Sequence, residues 1–375
     1  MIQTHLQELR ECLRRDEHLT KNHEEHVGIL HGGGGVYMHK FIKEHILPNF
    51  RSRRRFIEIP LKLLADSAVI EEIAFTTDSY TVKPIFFPGG DIGSLSVSGT
   101  INDLAVIGSE PIAISCALVI EEGFPLSKLD RILRSMDAVA EEAGVEIITG
   151  DTKVIQRGKL DELIINTAGI GKRSKLLDEN LKRVSRDGRS LKSRWLDPRN
   201  IRPGDKIIVS GPIGEHAIAI MAARGELGLE ISGIKSDAAP LNGLMSKTLE
   251  VGGVVAAKDP TRGGVASLLN EWNETTGIGM IIYEEKIPVS DEVQTASEIL
   301  GIDPLELANE GKVVLAVTAE SAEEVLSALR SDPLGREAEI VGEFTADFDG
   351  VVVKTEIGGL RYLPMPIGDP VPRIC

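Results

Sequence analysis

Two rhythms of apolar spacing recur along this chain, and together they predict its layers. In "SKLDRILRSMDAVAEEAG" (127–144) the apolar positions return every three to four residues, the signature of one helix face, with Ser127 placed to cap the start and Gly144 to end it. Shorter apolar runs predict strands at "SYTVKPIFF" (79–87), "VEIIT" (145–149) and "ELIINTAGI" (162–170). The mixture returns further on: "DKIIVSG" (205–211) and "KVVLAVT" (312–318) read as strands, "GEHAIAIMAARG" (214–225) as a helix, and "PTRGGVASLLNEW" (260–272) as a loop opening a helix. Strands interleaved with helices in two stretches make this an α/β or α+β protein with folded units at 51–171 and 203–345.

The remaining segments break both rhythms. Residues 1–26 form a polar N-terminal extension with Leu6, Leu9 and Leu13 on one prospective helix face. His23 and His26 lie close in sequence, but metalloprotease spacing is absent and a solvated segment is the simpler reading. Residues 27–50 hold a glycine-rich segment and linker. Residues 172–202 carry eleven Lys or Arg against four acids, which reads as a solvated insertion or linker, or else as a docking surface for an acidic partner. Residues 346–375 read as an extended tail ending in Cys375.

Composition narrows the function classes. At 375 residues and 42% hydrophobic, the chain suits two or three ordinary globular domains. Its net charge of −15 argues against binding nucleic acid or an anionic membrane by bulk electrostatics. Cys12, Cys116 and Cys375 are few, odd in number and far apart, which suits a reducing cytoplasm rather than a disulfide scaffold. The first residues are too polar for a signal peptide, and no long uninterrupted apolar run could span a bilayer.

The chemistry is concentrated in glycines and aspartates. Gly32, Gly33, Gly34 and Gly35 in a row either expose N–H groups to phosphate oxygens or form a hinge. No Walker A motif or GxGxxG after a strand is present. Instead, aspartates punctuate glycine-rich turns: "TTDS" (Asp78), "FFPGGDIG" (Asp91), "GTINDLAVIGSEP" (Asn102, Asp103), "TGDTK" (Asp151, Lys153) and "KDPTRGG" (Asp259, Arg262). Such a set suits Mg²⁺, which takes few protein carboxylates and completes its shell with water and phosphate. Lys153 and Arg262 would answer the charge of a phosphoryl group in transfer.

Long stretches of the chain resemble one family. "TTDSYTVKPIFFPGGDIGSLSVSGTINDLAVIGSEP", "AGVEIITGDTKVIQRG", "INTAGIG", "SGPIGEHAIAI", "DPTRGGVASLLNE", "LGIDPLELANEGKV" and the terminal "PRIC" resemble HypE, the carbamoyl dehydratases of NiFe-hydrogenase maturation, within the AIR synthetase (PurM-like) ATP-binding superfamily. The likeness runs from Gly32 to Cys375 except for the basic segment, and the "PRIC" ending is particular to HypE. It implies a two-domain PurM-like ATP-binding fold with an extended C-terminal tail, paired as a homodimer through the first domains. It further implies that Cys375 receives a carbamoyl group from HypF, that ATP drives its dehydration to a thiocyanate, and that cyanide passes to iron on a HypC–HypD complex.

The resemblance also distributes roles. Asp78, Asp103 and Asp259 would hold Mg²⁺, with Asp91 and Asp151 nearby. Gly32 to Gly35, Asn102, Thr152, Arg262, Gly263 and Gly264 would meet the nucleotide. Lys153 and Glu310 are the first choices for the base that strips the thiocarbamate nitrogen, with Glu271 behind them. Each has a plainer alternative: a phosphate anchor for Lys153, a helix-end salt bridge for Glu310 and an exposed helix carboxylate for Glu271.

The tail explains why a cysteine ends the chain. Prolines from Pro364 to Pro372 favour extended backbone at about 3.1 Å per residue, roughly 30 Å over ten positions, enough to swing a thiol from surface to cleft. Gly358, Gly359 and Gly368 are the expected pivots, and Arg373 is expected to lower the thiol pKa. Other superfamily enzymes, of the AIR or FGAM synthetase, thiamine-phosphate kinase or selenophosphate synthetase type, leave this tail unexplained. A non-catalytic ATP-sensing scaffold is the alternative from another class. The N-terminal extension and basic segment are longer than the family pattern, which bears on partner contacts rather than on the chemistry.

Overall fold

A computed structural model describes residues 26–51, 56–226 and 233–375. Most of the N-terminal extension, with Leu6, Leu9, Leu13 and His23, lies outside these residues. The first unit contains β1 (Ile57–Ile59), β2 (Ala68–Ile70), β3 (Ile73–Tyr80), β4 (Phe86–Phe87), β5 (Gly90–Asp91), β6 (Ser109–Glu121), β7 (Glu146–Ile155) and β8 (Leu163–Arg173). Six of these form a sheet ordered β1-β2-β3-β8-β6-β7, antiparallel except for the parallel β6–β7 pair at one edge. The helices Ile92–Val106 and Leu126–Ala143 accompany this sheet.

The helix Ile92–Val106 is the hub. Asp91 caps it, accepting from the N–H groups of Gly93 (2.8 Å) and Ser94 (3.0 Å), while Ser94 Oγ accepts from the Asp91 N–H (3.0 Å). It is buried all round, including Leu95, Val97, Ile101 and Leu104. Apolar residues on every side are what a helix needs when both its flanks are packed.

Two sequence expectations are corrected here. The strand expected over 79–87 lies earlier, at Ile73–Tyr80, and only Phe86–Phe87 pairs again after the intervening turn. Pro84 explains the break, because it cannot donate to a ladder. Ser127 is not a cap: the helix begins at Leu126 with Pro125 before it, and the Pro125 carbonyl accepts from Lys128 and Leu129. Gly144 does end that helix, in the left-handed region at φ 70°.

The second unit adds β9 (Lys206–Val209), β10 (Val254–Lys258), β11 (Gly279–Tyr283), β12 (Val314–Val317), β13 (Glu339–Thr345), β14 (Val351–Lys354) and β15 (Leu360–Tyr362), ordered β10-β12-β9-β13-β11-β14-β15. Strand β12, next to the edge strand β10, is short, wholly apolar and buried along its whole length, and its neighbours β9 and β10 are buried except at one terminal lysine each. The helices Glu215–Arg224, Asn242–Val251, Gly264–Thr276, Asp291–Leu300 and Ala322–Arg330 belong to this unit.

The tail is shorter than expected. β14 and β15 belong to the sheet, and Gly358 and Gly359 form the hairpin turn between them rather than pivots. Beyond Leu363 the chain folds back along the body instead of reaching outward. Val36 N–H donates to the Pro366 carbonyl (2.9 Å), Asp369 N–H donates to the Gly33 carbonyl (2.6 Å), and Val371 and Ile374 are buried in the core beside the first unit.

The basic segment is packed, not a solvated insertion. The helix Lys175–Val184 buries Leu177, Leu181 and Val184. Trp195 is fully buried, and its Nε1 donates to Glu58 (2.9 Å). Much of the charge is answered internally: Arg173 pairs with Asp178 (2.7 Å), Arg183 with Glu324 (2.8 Å), Arg189 with Asp205 (2.6 Å) and Arg194 with Glu58 (2.6 Å).

Candidate active site

A cavity of about 470 Å³ lies where the two units and the tail meet. β3 supplies one wall. Its side chains alternate, so Thr76, Asp78 and Tyr80 share one face of the strand. Thr76 Oγ1 donates to Asp103 Oδ2 (2.6 Å), and the Tyr80 hydroxyl donates to Asp78 Oδ2 (3.3 Å). Asp103 comes from the hub helix, Asp66 from the turn before β2, and Asp259 from the residue after β10.

Oxygens of Asp66, Asp103 and Asp259 converge within 4.8 Å of one another. Burial pushes the Asp103 carboxyl well above the usual range, and the charges of Asp78, Asp259 and Asp66 push it further. Asp259 is raised to about 8, by burial first and then by Asp66. Burial also raises Asp66, against the pull of Lys258 at 2.5 Å. Three hard oxygen donors that cannot all ionise in each other's company fit a divalent cation, which favours the charged form of each.

The rest of the cavity divides by charge. Lys258 also pairs with Glu271 (3.2 Å), which pairs in turn with His39 (3.0 Å). Burial would raise Glu271, but Lys258 and His39 hold it down at about 2. Glu310 is the opposite case: it is 3% exposed, its Oε1 has no hydrogen-bond partner, and burial and the charge of Asp259 push its carboxyl well above the ordinary value.

Cys375 lines this same cavity. Burial pushes its thiol up to about 12, with Arg262 pulling the other way. The moderating cation is therefore Arg262 and not the expected Arg373, which is engaged with Asp161 (2.6 Å).

The expected site residues fall into two groups. Gly34, Asp78, Asp103, Asp259, Arg262, Gly264, Glu271, Glu310 and Cys375 all line the cavity. Gly32 and Gly33 accept from Arg262 Nη1 (3.2 Å) and the Asp369 N–H (2.6 Å), and the Gly263 N–H donates to Asp369 Oδ2 (3.2 Å). The glycine run is neither a free hinge nor an open cradle: it is packed between Arg262 and the tail. Gly35 requires its lack of a side chain, since at φ +67° a Cβ would sit 2.2 Å from the Pro366 carbonyl oxygen.

The others stand apart. Asp91 is consumed by its capping role and by Ser135 Oγ (2.5 Å). Asn102 is buried between the units rather than in the cavity. Asp151, Thr152 and Lys153 lie on edge strand β7, with Lys153 paired to Asp151 (2.8 Å) in the open and none of the three lining the cavity. The turn setting read for the aspartates is also corrected: Asp78 and Asp151 lie within strands and Asp103 in a helix. Glu310 makes no helix-end salt bridge, and Glu271 is not an exposed carboxylate but a buried ion-pair member. Sequence reasoning missed Asp66, Tyr80, Lys258 and His39. The dipeptide Lys258-Asp259 held a signal for one of them, whereas Asp66 in "LLADSAV" has no glycine to mark it.

Comparison with known proteins places these features among relatives. Residues 64–172 match the AIR synthase related protein N-terminal domain family and residues 202–354 its C-terminal domain family. A carbamoyl dehydratase HypE of Rhizobium leguminosarum bv. viciae is 46% identical over 93% of this chain and 95% of its own length. The solved HypE–HypF complex contains a chain 41% identical, with TM-score 0.76, covering 87% of this chain and 99% of that one. A hydrogenase maturation protein HypE solved in complex with ATP is 39% identical, with TM-score 0.73, over 92% of this chain and 99% of that one.

Proposed function

The chain belongs to the HypE family of carbamoyl dehydratases, and from that premise we propose that it uses ATP to convert a carbamoyl group on its own Cys375 to a thiocyanate. One observation carries the reading: the terminal thiol lines the same cavity as the Asp66–Asp103–Asp259 cluster, Arg262 and the unpartnered Glu310.

The oxygen of S–CO–NH₂ is a poor leaving group. It attacks the γ-phosphorus of ATP and displaces ADP; the C–O bond then breaks, phosphate departs with that oxygen, and both N–H protons are lost as C≡N forms. Mg²⁺ held by Asp66, Asp103 and Asp259 would neutralise phosphate charge. Arg262, next to the tail, faces the anionic side of the reaction. Glu310 is the carboxylate best suited to take a nitrogen proton, because its Oε1 has no competing partner and its raised pKa makes it a stronger base when ionised. Glu271 is occupied by Lys258 and His39 and serves charge balance instead.

Lys153, Asp151 and Thr152 take part only if a second copy brings them in. The first sheet exposes Phe75, Ile112, Ile148, Val154 and Ile170, an apolar surface that a homodimer would cover. HypF as carbamoyl donor and HypC–HypD as cyanide acceptor complete the cycle, in a reducing cytoplasm that keeps the thiol free. No helix among the described residues is long and apolar enough to cross a membrane. The deciding experiment is mass spectrometry of the C-terminal peptide after incubation with HypF, carbamoyl phosphate and ATP. A nitrile on sulfur is expected with ATP and only the carboxamide without it; a carboxamide that persists with ATP would refute the proposal.

A further inference from the structure

The last four residues are held by their backbone. The Pro372 and Arg373 carbonyls accept from Arg224 Nη2 (2.8 and 2.9 Å), the Ile374 carbonyl faces His216 Nε2 (2.9 Å), and a main-chain carboxylate oxygen of Cys375 accepts from the Thr81 N–H (2.9 Å) and Thr81 Oγ1 (3.1 Å). Of these donors His216 is the most deeply set. It is fully buried on the helix Glu215–Arg224, with the Phe87 ring edge-on at 5.6 Å.

Its hydrogen-bond partners fix its tautomer. The Ile374 carbonyl can only accept, so Nε2 must donate to it (2.9 Å), and Ser236 Oγ, which accepts from the Ala238 N–H (3.1 Å), gives its own proton to Nδ1 at 2.7 Å. Nδ1 is therefore the acceptor and Nε2 carries the proton, aimed at the Ile374 carbonyl. Burial lowers the pKa of this ring and keeps it neutral. The recognition is of main chain, one peptide bond before the reactive residue, so it sets how far the chain end advances into the cavity.

We propose that His216, oriented by Ser236, is a positioning residue that fixes the register of the chain end and so places the Cys375 thiol in the cavity. This deepens the proposed reaction and rests on it for its purpose, but docking can be read without nucleotide, HypF or turnover.

The test is the rate at which N-ethylmaleimide alkylates Cys375 in the full chain, followed on the C-terminal peptide, with the Cys116 peptide as internal control. His216→Ala leaves the Ile374 carbonyl unpaired and is expected to speed alkylation of Cys375 about tenfold while leaving Cys116 unchanged. His216→Gln keeps an N–H donor at the Nε2 position and should restore most of the protection. An unchanged rate in folded His216→Ala, or no rescue by Gln, would overturn the proposal. Should His216→Ala not fold, Ser236→Ala decides: it removes the hydroxyl that holds the ring at Nδ1 and is expected to raise the Cys375 rate, and an unchanged rate there overturns the proposal as well.

Discussion

Asn102 Nδ2 donates to the backbone carbonyl of Glu310 at 3.2 Å, tying the hub helix of the first unit to the loop of the second that bears the unpartnered carboxylate. The same amide donates to the Ala239 carbonyl (3.1 Å), and its Oδ1 accepts from the Leu241 N–H (2.8 Å). Asn102→Leu orphans all three backbone groups and is expected to lower unfolding stability by about 3 kcal/mol. Urea titration reads this directly, and a loss below about 1 kcal/mol would mean water replaces the amide without penalty.

Gly35→Ala should loosen the tail while leaving the body intact. The new methyl group meets the Pro366 carbonyl oxygen at 2.2 Å, in a left-handed conformation that disfavours any side chain by about 1–2 kcal/mol. Alkylation of Cys375 is expected to rise about fivefold or more, with the thermal midpoint nearly unchanged. Equal rates for the two proteins would show that the tail docks independently of the glycine run.

The buried thiol gives docking a pH dependence. A free cysteine here has a reference value of 9.0, and in the docked chain burial raises it to about 12, so the docked state holds its proton more tightly. Docking is therefore at full strength below about pH 9 and weakens as pH rises from there toward 12. The absorbance at 240 nm of the chain minus that of Cys375→Ser should show a thiolate midpoint well above 9, moving higher still in Arg262→Gln. A midpoint at or below 9 would place the thiol in water.

Asp66 and Asp91 should separate cleanly. Asp66→Asn removes one of three converging oxygens and is expected to weaken Mg²⁺ binding by roughly tenfold or more, read by calorimetric titration. Asp91→Ala should leave Mg²⁺ affinity alone and lower stability by about 1 kcal/mol, as loss of a helix cap does. The opposite pattern would restore Asp91 to the metal site.

What could be read from the chain depended on how each element is exposed. The helix Leu126–Ala143 has a wet face and a dry one, so its spacing is plain in the sequence. The hub helix has no wet face, and β6 comes after it across a short turn, so "IGSLSVSGTINDLAV" and "SEPIAISCALVIE" merge into one apolar stretch without a period. In the site, the motifs pointed to Asp78, Asp103 and Asp259, which all line the cavity, but the carboxylates that converge are Asp103, Asp259 and Asp66 rather than Asp78, and Asp66 is defined only by a fold that brings residues far apart in sequence together. Asp91 misled because a capping carboxylate and a ligand look alike in sequence. The tail was read as an arm, but composition cannot show whether stiff backbone points away from a body or lies along it.

The grip on the main-chain oxygens of the last four residues has a kinetic consequence. If cargo is collected and surrendered outside the cavity, every cycle must dissolve the contacts to Arg224, His216 and Thr81 and then rebuild them. A tighter hold would protect the intermediate from water yet slow its surrender, so the optimum is a compromise between retention and escape. On the proposed function, variants that loosen the clamp slightly should therefore release the product faster while consuming more ATP per product delivered.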